Sequence, residues 1–328
     1  MASIANRLLF PDEKTLSGIF PHVIDFKPTI CDVLANTFET CTFRIQLDSA
    51  PLPDYPKDLI IRFERSGRSL AALATFQRLV SSQLKDLVPS VLQVGTTMTA
   101  TAKAEQVDYF VTPYFTETIL LEEVWDALDQ VNQLQLVDSV VLAVEQLQKL
   151  DLKKFGHSPE GIPYISIDDT PPQPVEIAIG GLAHDFFPNV RQFLRGLLHP
   201  ERKKPRDWNL LETDSGITIQ FAYGDIGQVH LSHSDLDELQ RNVVFCHNDL
   251  EPRNIPMRKL SSGKHELAGV IDWERAGLFP FAYEFGYKDT VLGSSNLNFS
   301  WYTLSKTSRP ICCPKGSATQ NPSRHSGL

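Results

Sequence analysis

The sequence predicts an α+β chain of two lobes: a small β-rich N-terminal lobe carrying one helix, and a mainly helical C-terminal lobe. Three observations carry that reading. The first third is dominated by short β-rich runs, helical spacing takes over beyond Pro113-Tyr114, and 328 residues suffice for two packed units. With 42% hydrophobic and 22% charged residues, the composition is that of a chain with a core rather than of a disordered one.

The elements follow in order. Residues 29–35 and 42–47 read as strands, joined by Asn36-Thr37-Phe38-Glu39-Thr40. Residues 58–64 form a third strand, apolar except for its ends and Arg62. Residues 69–87 repeat apolar side chains at helical spacing (Leu70, Leu73, Phe76, Leu79, Val80, Leu84) and stop at Val88-Pro89, because a residue before proline avoids helical backbone. Two more strands are expected at 91–94 and 108–112, followed by a hinge at Pro113-Tyr114. Beyond it, 122–128 and 134–150 read as helices, the second with Val137, Val140, Val141, Val144 and Leu147 on one stripe. Residues 156–174 read as loop, 187–198 as helix, 199–206 as a solvated basic run, and Ser234-Asp235 as a helix start with acids in its first turn. Residues 243–246 and 267–271 are short apolar strands, and 305–328 read as a disordered tail. The lobes are therefore drawn at 1–112 and 113–304, with the tail at 305–328.

A net charge of −9 argues against a nucleic-acid binder, which needs a basic face. The five cysteines show neither a CxxC pair nor Cys/His ligand spacing, so no structural zinc is expected. No run approaches the length of a membrane span, and the N-terminal apolar stretch is short and interrupted, which makes a cytoplasmic setting the expectation. Oligomeric state is not legible.

The chemistry lies in Cys246-His247-Asn248-Asp249-Leu250-Glu251-Pro252-Arg253-Asn254 and in Val270-Ile271-Asp272-Trp273-Glu274. Phosphoryl transfer needs a carboxylate to accept a hydroxyl proton and oxygen ligands for magnesium. Asp249 suits the first role; Asn254 and Asp272 suit the second. His247 joins Asp249 in the catalytic loop, where its imidazole is read as fixing the shape of the loop. Trp273 reads as packing. Arg253 reads either as a neutraliser of the transferred group or as a surface residue.

These stretches resemble the aminoglycoside phosphotransferase family, a branch of the protein-kinase-like fold that includes choline and homoserine kinases. The likeness is strongest at His247–Ile255 and Ile271–Gly277, continues through Pro280–Phe285 as in fungal members, and spans roughly residues 25–300. It implies a kinase using ATP and Mg²⁺ on a small-molecule hydroxyl acceptor, with Asp249 as base and Asn254 and Asp272 as metal ligands. Glu284 becomes a structural acid, and residues 110–114 the adenine-binding hinge. On the same footing Arg62, Asn36, Thr40, Thr112 and Tyr114 would hold the nucleotide, adenine being read by the Tyr114 N–H and the Thr112 carbonyl, since Pro113 has no N–H. No nucleic-acid or membrane partner is implied. Asp168, Asp169, Asp185 and Glu251 are possible acceptor contacts but read first as loop acids.

Three features of the first lobe depart from the family pattern. The 36–40 loop has no glycine to let backbone N–H groups approach phosphate. The phosphate-contacting cation is Arg62 rather than Lys. Residues 69–77 hold no acid to pair with it, and Glu64 lies on the same strand face, so Arg62 is expected to be poorly held. These departures keep a second reading open, a catalytically impaired kinase-like binding or regulatory protein. A protein kinase is disfavoured, because Asp-Phe-Gly and Ala-Pro-Glu are both missing.

Overall fold

The structure, a computed structural model, describes residues 9–23, 27–65, 70–99, 104–150, 152, 155–157, 163–165, 179–198, 208–221, 227–284 and 299–307. The basic run at 199–206, Asp168 and Asp169, and all but the first residues of the tail lie outside them.

A short helix α1 (Glu13–Ile19) precedes five strands: β1 (Ile30–Asn36), β2 (Thr40–Gln46), β3 (Asp58–Arg65), β4 (Gln93–Met98) and β5 (Gln106–Pro113). They form one antiparallel sheet in the order β1-β2-β3-β5-β4. Side chains alternate between faces along each strand, so Cys41, Phe43 and Ile45, Leu59, Ile61 and Phe63, and Val107, Tyr109 and Val111 line one face. Leu16, Ile19 and Phe20 of α1 and its C-terminal flank cover that face.

Helix α2 (Leu70–Gln83) lies between the third and fourth strands. Its apolar stripe packs against the second half of the chain. Leu73, Phe76 and Leu79 share a core with Phe245, Val270, Trp273 and Phe279, and the Phe76 ring lies 5.7 Å from that of Phe245. That core also takes in Phe110 of β5, so it bridges the two lobes.

After β6 (Thr118–Leu120) and the single turn α3 (Leu121–Val124), helix α4 (Gln130–Gln148) starts at an Asp129 cap that accepts the Asn132 N–H. Its stripe is as expected: Val137, Val140, Val144 and Leu147 are buried. Short strands follow at β7 (Phe155–His157), β8 (Pro163–Ile165), β9 (Ile179–Gly181) and β10 (His184–Phe187), then α5 (Val190–Leu198). A three-stranded meander, β11 (Trp208–Thr213), β12 (Gly216–Phe221) and β13 (Gln228–Ser232), leads into α6 (His233–Arg241). Helix α6 begins at a capping box on Ser232 and Asp235, two residues before the expected start. The chain continues through β14 (Val243–Cys246), β15 (Pro256–Lys259), β16 (His265–Leu267) and β17 (Gly277–Pro280), and the described part ends in α7 (Phe299–Thr307). That helix runs into the stretch expected to be tail. Its Trp301 is buried edge-on against Trp125 at 5.1 Å.

Two sheets of the second lobe position the motif residues. β14 and β17 pair in the order β10-β9-β17-β14, and β15 lies between β16 and β6 in a second sheet. Because β6 directly follows the hinge, its pairing of Leu120 with Pro256 ties the hinge to the loop that carries Asn254. The strand expected at 267–271 ends at Leu267. Beyond it the chain is extended and bonds to its surroundings one residue at a time: the Ala268 N–H to Pro256, Val270 to Leu87 and Ile271 to Asn254.

Candidate active site

β14 ends at Cys246, and the chain turns sharply. Asn248 has φ 63°, left-handed backbone that Asn adopts more readily than most residues. The turn is held from below: successive N–H groups of His247 and Asn248 donate to the two carboxylate oxygens of Glu284 at 2.5 and 2.9 Å. Glu284 is 1% exposed, and such burial of a carboxylate is sustainable because amide donors meet its charge.

His247 fixes the other side of the turn. Its Nε2 lies 3.0 Å from the Ile271 carbonyl, and the Asp249 N–H donates to its Nδ1 at 3.2 Å. A carbonyl only accepts, so Nε2 carries the proton and the ring is neutral. Both ring nitrogens bond to the backbone, an arrangement that fits the loop-holding reading of this residue. Trp273, 2% exposed, closes over the imidazole with ring centroids 4.5 Å apart and donates its own N–H to the Val270 carbonyl.

A single 3-10 turn at Pro252–Asn254 folds the chain back. The Asn254 Nδ2 thereby donates to the Asp249 carbonyl at 2.8 Å and to the Asp249 Oδ2 at 3.1 Å. Arg253 reaches the same Oδ2 at 3.4 Å, but its side chain is 57% exposed, so this pair is a weak surface one. The bond from the Ile271 N–H to the Asn254 carbonyl at 3.0 Å then draws the second motif alongside the first.

Asp272 follows at φ 65°, ψ 68°. Its pKa is raised to about 6, chiefly by burial, then by the negative charge of Glu274, against the pull of Arg62; the field of Asp249 and a hydrogen bond with Glu274 add to the rise. Residues 249, 254 and 272 therefore share one locus. Its donors are hard oxygens, and its carboxylates repel one another. Both properties fit a small divalent cation that keeps water and phosphate oxygens as its remaining ligands.

The first-lobe candidates divide. Arg62 is well held, contrary to expectation: its Nη1 is ion-paired with Glu274, and its Nη2 lies 3.6 Å from Glu64. Burial works against its charge, but the hydrogen bond and the charge of Glu274, helped by Glu64 and Asp272, outweigh it and leave the pKa raised. The acid sought in α2 comes instead from the segment after Asp272.

Asn36 is turned away. A β-bulge between Val33 and Ala35 shifts the register, so Asn36 stands opposite Cys41 rather than Thr40. Its side chain is thus on the α1 face, where it donates to the Leu9 carbonyl at 2.8 Å. Arg62, opposite Thr42, is on the other face. Thr40 does share the Arg62 face, but its N–H donates to the Thr37 hydroxyl at 3.0 Å, as does that of Glu39 at 3.2 Å, so these two donors are taken up within the turn.

The hinge is out of phase by one residue. The Tyr114 N–H donates to the Asp58 carbonyl at 3.1 Å, and Thr112 stands opposite Ile60 in the same ladder. Hydrogen-bonding direction alternates along an antiparallel strand. The backbone groups of 112 and 114 therefore face β3, while Val111, which accepts from Leu92, faces the other way together with 113.

Glu274 is the site residue that the sequence reading left without a role. The signal was local: a second acid two positions after Asp272, in a turn whose Trp is buried.

The model of the phosphotransferase enzyme family matches residues 38–288. The chain belongs to that family. Among solved structures, it resembles a thermostable mutant of aminoglycoside phosphotransferase APH(4)-Ia in apo form, with a TM-score of 0.52 and 15% identity over 91% of this chain and 83% of that one. The streptomycin–ATP ternary complex of APH(2")-IIa aligns at 14% identity over 84% and 75%, with a TM-score of 0.40. At 15% identity the first of these likenesses speaks to the fold alone, which is that of the kinase-like phosphotransferases. No curated protein matches. No described helix is long and apolar enough to cross a membrane.

Proposed function

We propose that this phosphotransferase moves the γ-phosphoryl group of ATP to a hydroxyl of a small molecule. The observation that carries the reading is the convergence of three motif residues: Asn254 bonds the Asp249 carboxylate at 3.1 Å, and the Ile271 N–H bonds Asn254 at 3.0 Å, bringing Asp272 to the same place. Asp249 orients the acceptor hydroxyl and takes its proton as the new O–P bond forms and ADP leaves. Asn254 and Asp272 would hold Mg²⁺, whose charge offsets that of the phosphates. Arg62 supplies a second, permanent positive charge with fork geometry for phosphate oxygens.

The division into lobes meeting at Pro113 suits a nucleotide bound between them. Strand phase turns the backbone of Thr112 and Tyr114 toward β3 and supports the Pro113 carbonyl as an adenine contact in their place. The Thr37, Glu39 and Thr40 N–H groups are bonded within the 36–40 turn, which supports a grip on the phosphates chiefly by side chains and metal. Arg62 is anchored, which removes a main ground for reading the chain as an impaired relative.

The test is Mg²⁺-dependent ATP consumption by the full chain against a panel of amino sugars, choline analogues and other hydroxylated metabolites. Acceptor-dependent ADP release that disappears in Asp249→Asn supports the reading. Equal turnover in that variant would sink it.

A further inference from the structure

We propose that Glu274 is a positioning residue for Arg62: it stands in for the acid that α2 lacks, so the phosphate-gripping cation of the first lobe is aimed by the second. This rests on the function proposed above.

The described α2, Leu70–Gln83, contains no Asp or Glu. Among the described residues of its own lobe Arg62 has one acid within ion-pair reach, Glu64, two positions along the same strand and 3.6 Å from Nη2. An acid so placed can neutralise the guanidinium but pulls it back along β3. Glu274 approaches from the opposite lobe, takes Nη1, and draws the head across the cleft toward Asp272, with which Glu274 also shares a hydrogen bond. Glu274 is itself on a fixed support, since buried Trp273 precedes it and the Ala276 N–H closes the turn onto the Trp273 carbonyl at 3.0 Å. The Nε of Arg62 is buried and has no hydrogen-bond partner, so the fork keeps donor capacity while it is clamped. In a reaction governed by placement of charge, holding that head in one rotamer is a contribution in its own right. The opposite account is a latch in which Glu274 competes with phosphate for Arg62. The two accounts predict opposite signs.

The experiment is calorimetric titration of the full chain with Mg·ADP for wild type, Glu274→Gln, Glu274→Asp, Arg62→Gln and the Arg62→Gln/Glu274→Gln double variant, with thermal unfolding as a check on folding. Glu274→Gln is expected to weaken binding about tenfold, the scale of one charged hydrogen bond. Glu274→Asp, which keeps the charge, should fall between it and wild type, and it carries the test if the glutamine variant does not fold. In the Arg62→Gln background the Glu274 change should be silent, because the partner is gone. Unchanged or tighter binding in folded Glu274→Gln overturns the proposal, and so does an equal loss in both backgrounds. A wild-type chain that binds no Mg·ADP would refute the proposed function itself, a separate outcome.

Discussion

At the scale of single residues, the site is a group of acids of which Glu274 is paired with Arg62 while Asp272 is held protonatable by burial and by its acidic neighbours. Asp249 is the group whose removal should be most selective. Asp249→Asn is expected to lower turnover by about 10³-fold, the range of a lost general base, while Mg·ADP affinity stays within about threefold of wild type. Single-turnover kinetics beside calorimetry would check this. Asp272 gives a pH signature. With its pKa raised to about 6, it carries a proton below that pH, and the proton must leave before the carboxylate can ligate a cation. The Mg²⁺-dependent part of nucleotide affinity should therefore fall by about tenfold per unit as pH drops below 6. Without nucleotide the sign reverses. Between the free-acid value and 6 the folded chain binds the extra proton, so stability declines as pH rises through that window, and Asp272→Asn should flatten the decline in denaturant titrations.

Elements explain what was legible in the sequence and what was not. Asp249 and Asn254 lie within one loop, and the roles proposed for them can be read from residue type and spacing alone. The helical stripe of α4 was equally readable, since Val137, Val140, Val144 and Leu147 repeat at the period of the helix. Asn36 was not readable, because one extra residue between Val33 and Ala35 reverses the face of everything after it, and no residue there announces a bulge. The hinge failed for a related reason: which backbone groups are free depends on the phase of the β3–β5 ladder. The partner of Arg62 lies 212 residues away, beyond the reach of any local pattern. Gly277 offers a test at this scale. A Cβ there would come within 2.3 Å of the Gly180 carbonyl oxygen, where β17 and β9 press backbone to backbone. Gly277→Ala should destabilise the protein by about 1–3 kcal/mol and disturb the neighbouring Asp272 turn, to be read in urea unfolding.

For the whole molecule, the shared core decides behaviour. Phe76 of α2 is fully buried among Phe186 and Phe245, side chains of the other lobe. Phe76→Ala is expected to cost about 3–5 kcal/mol and to lower the stability of both lobes together. Wild type and variant should each melt in one transition, followed by far-UV circular dichroism and tryptophan fluorescence; two separated steps would show that the lobes unfold independently.

In signalling kinases the helix after the third strand is a lever, and swinging it out is how such enzymes are silenced. Here the corresponding helix bears no acid and is packed into the core shared with its neighbour, and the charge it would have carried comes from the turn that follows Asp272. With the acid on that turn instead, a movement of the helix would not by itself separate Arg62 from its partner.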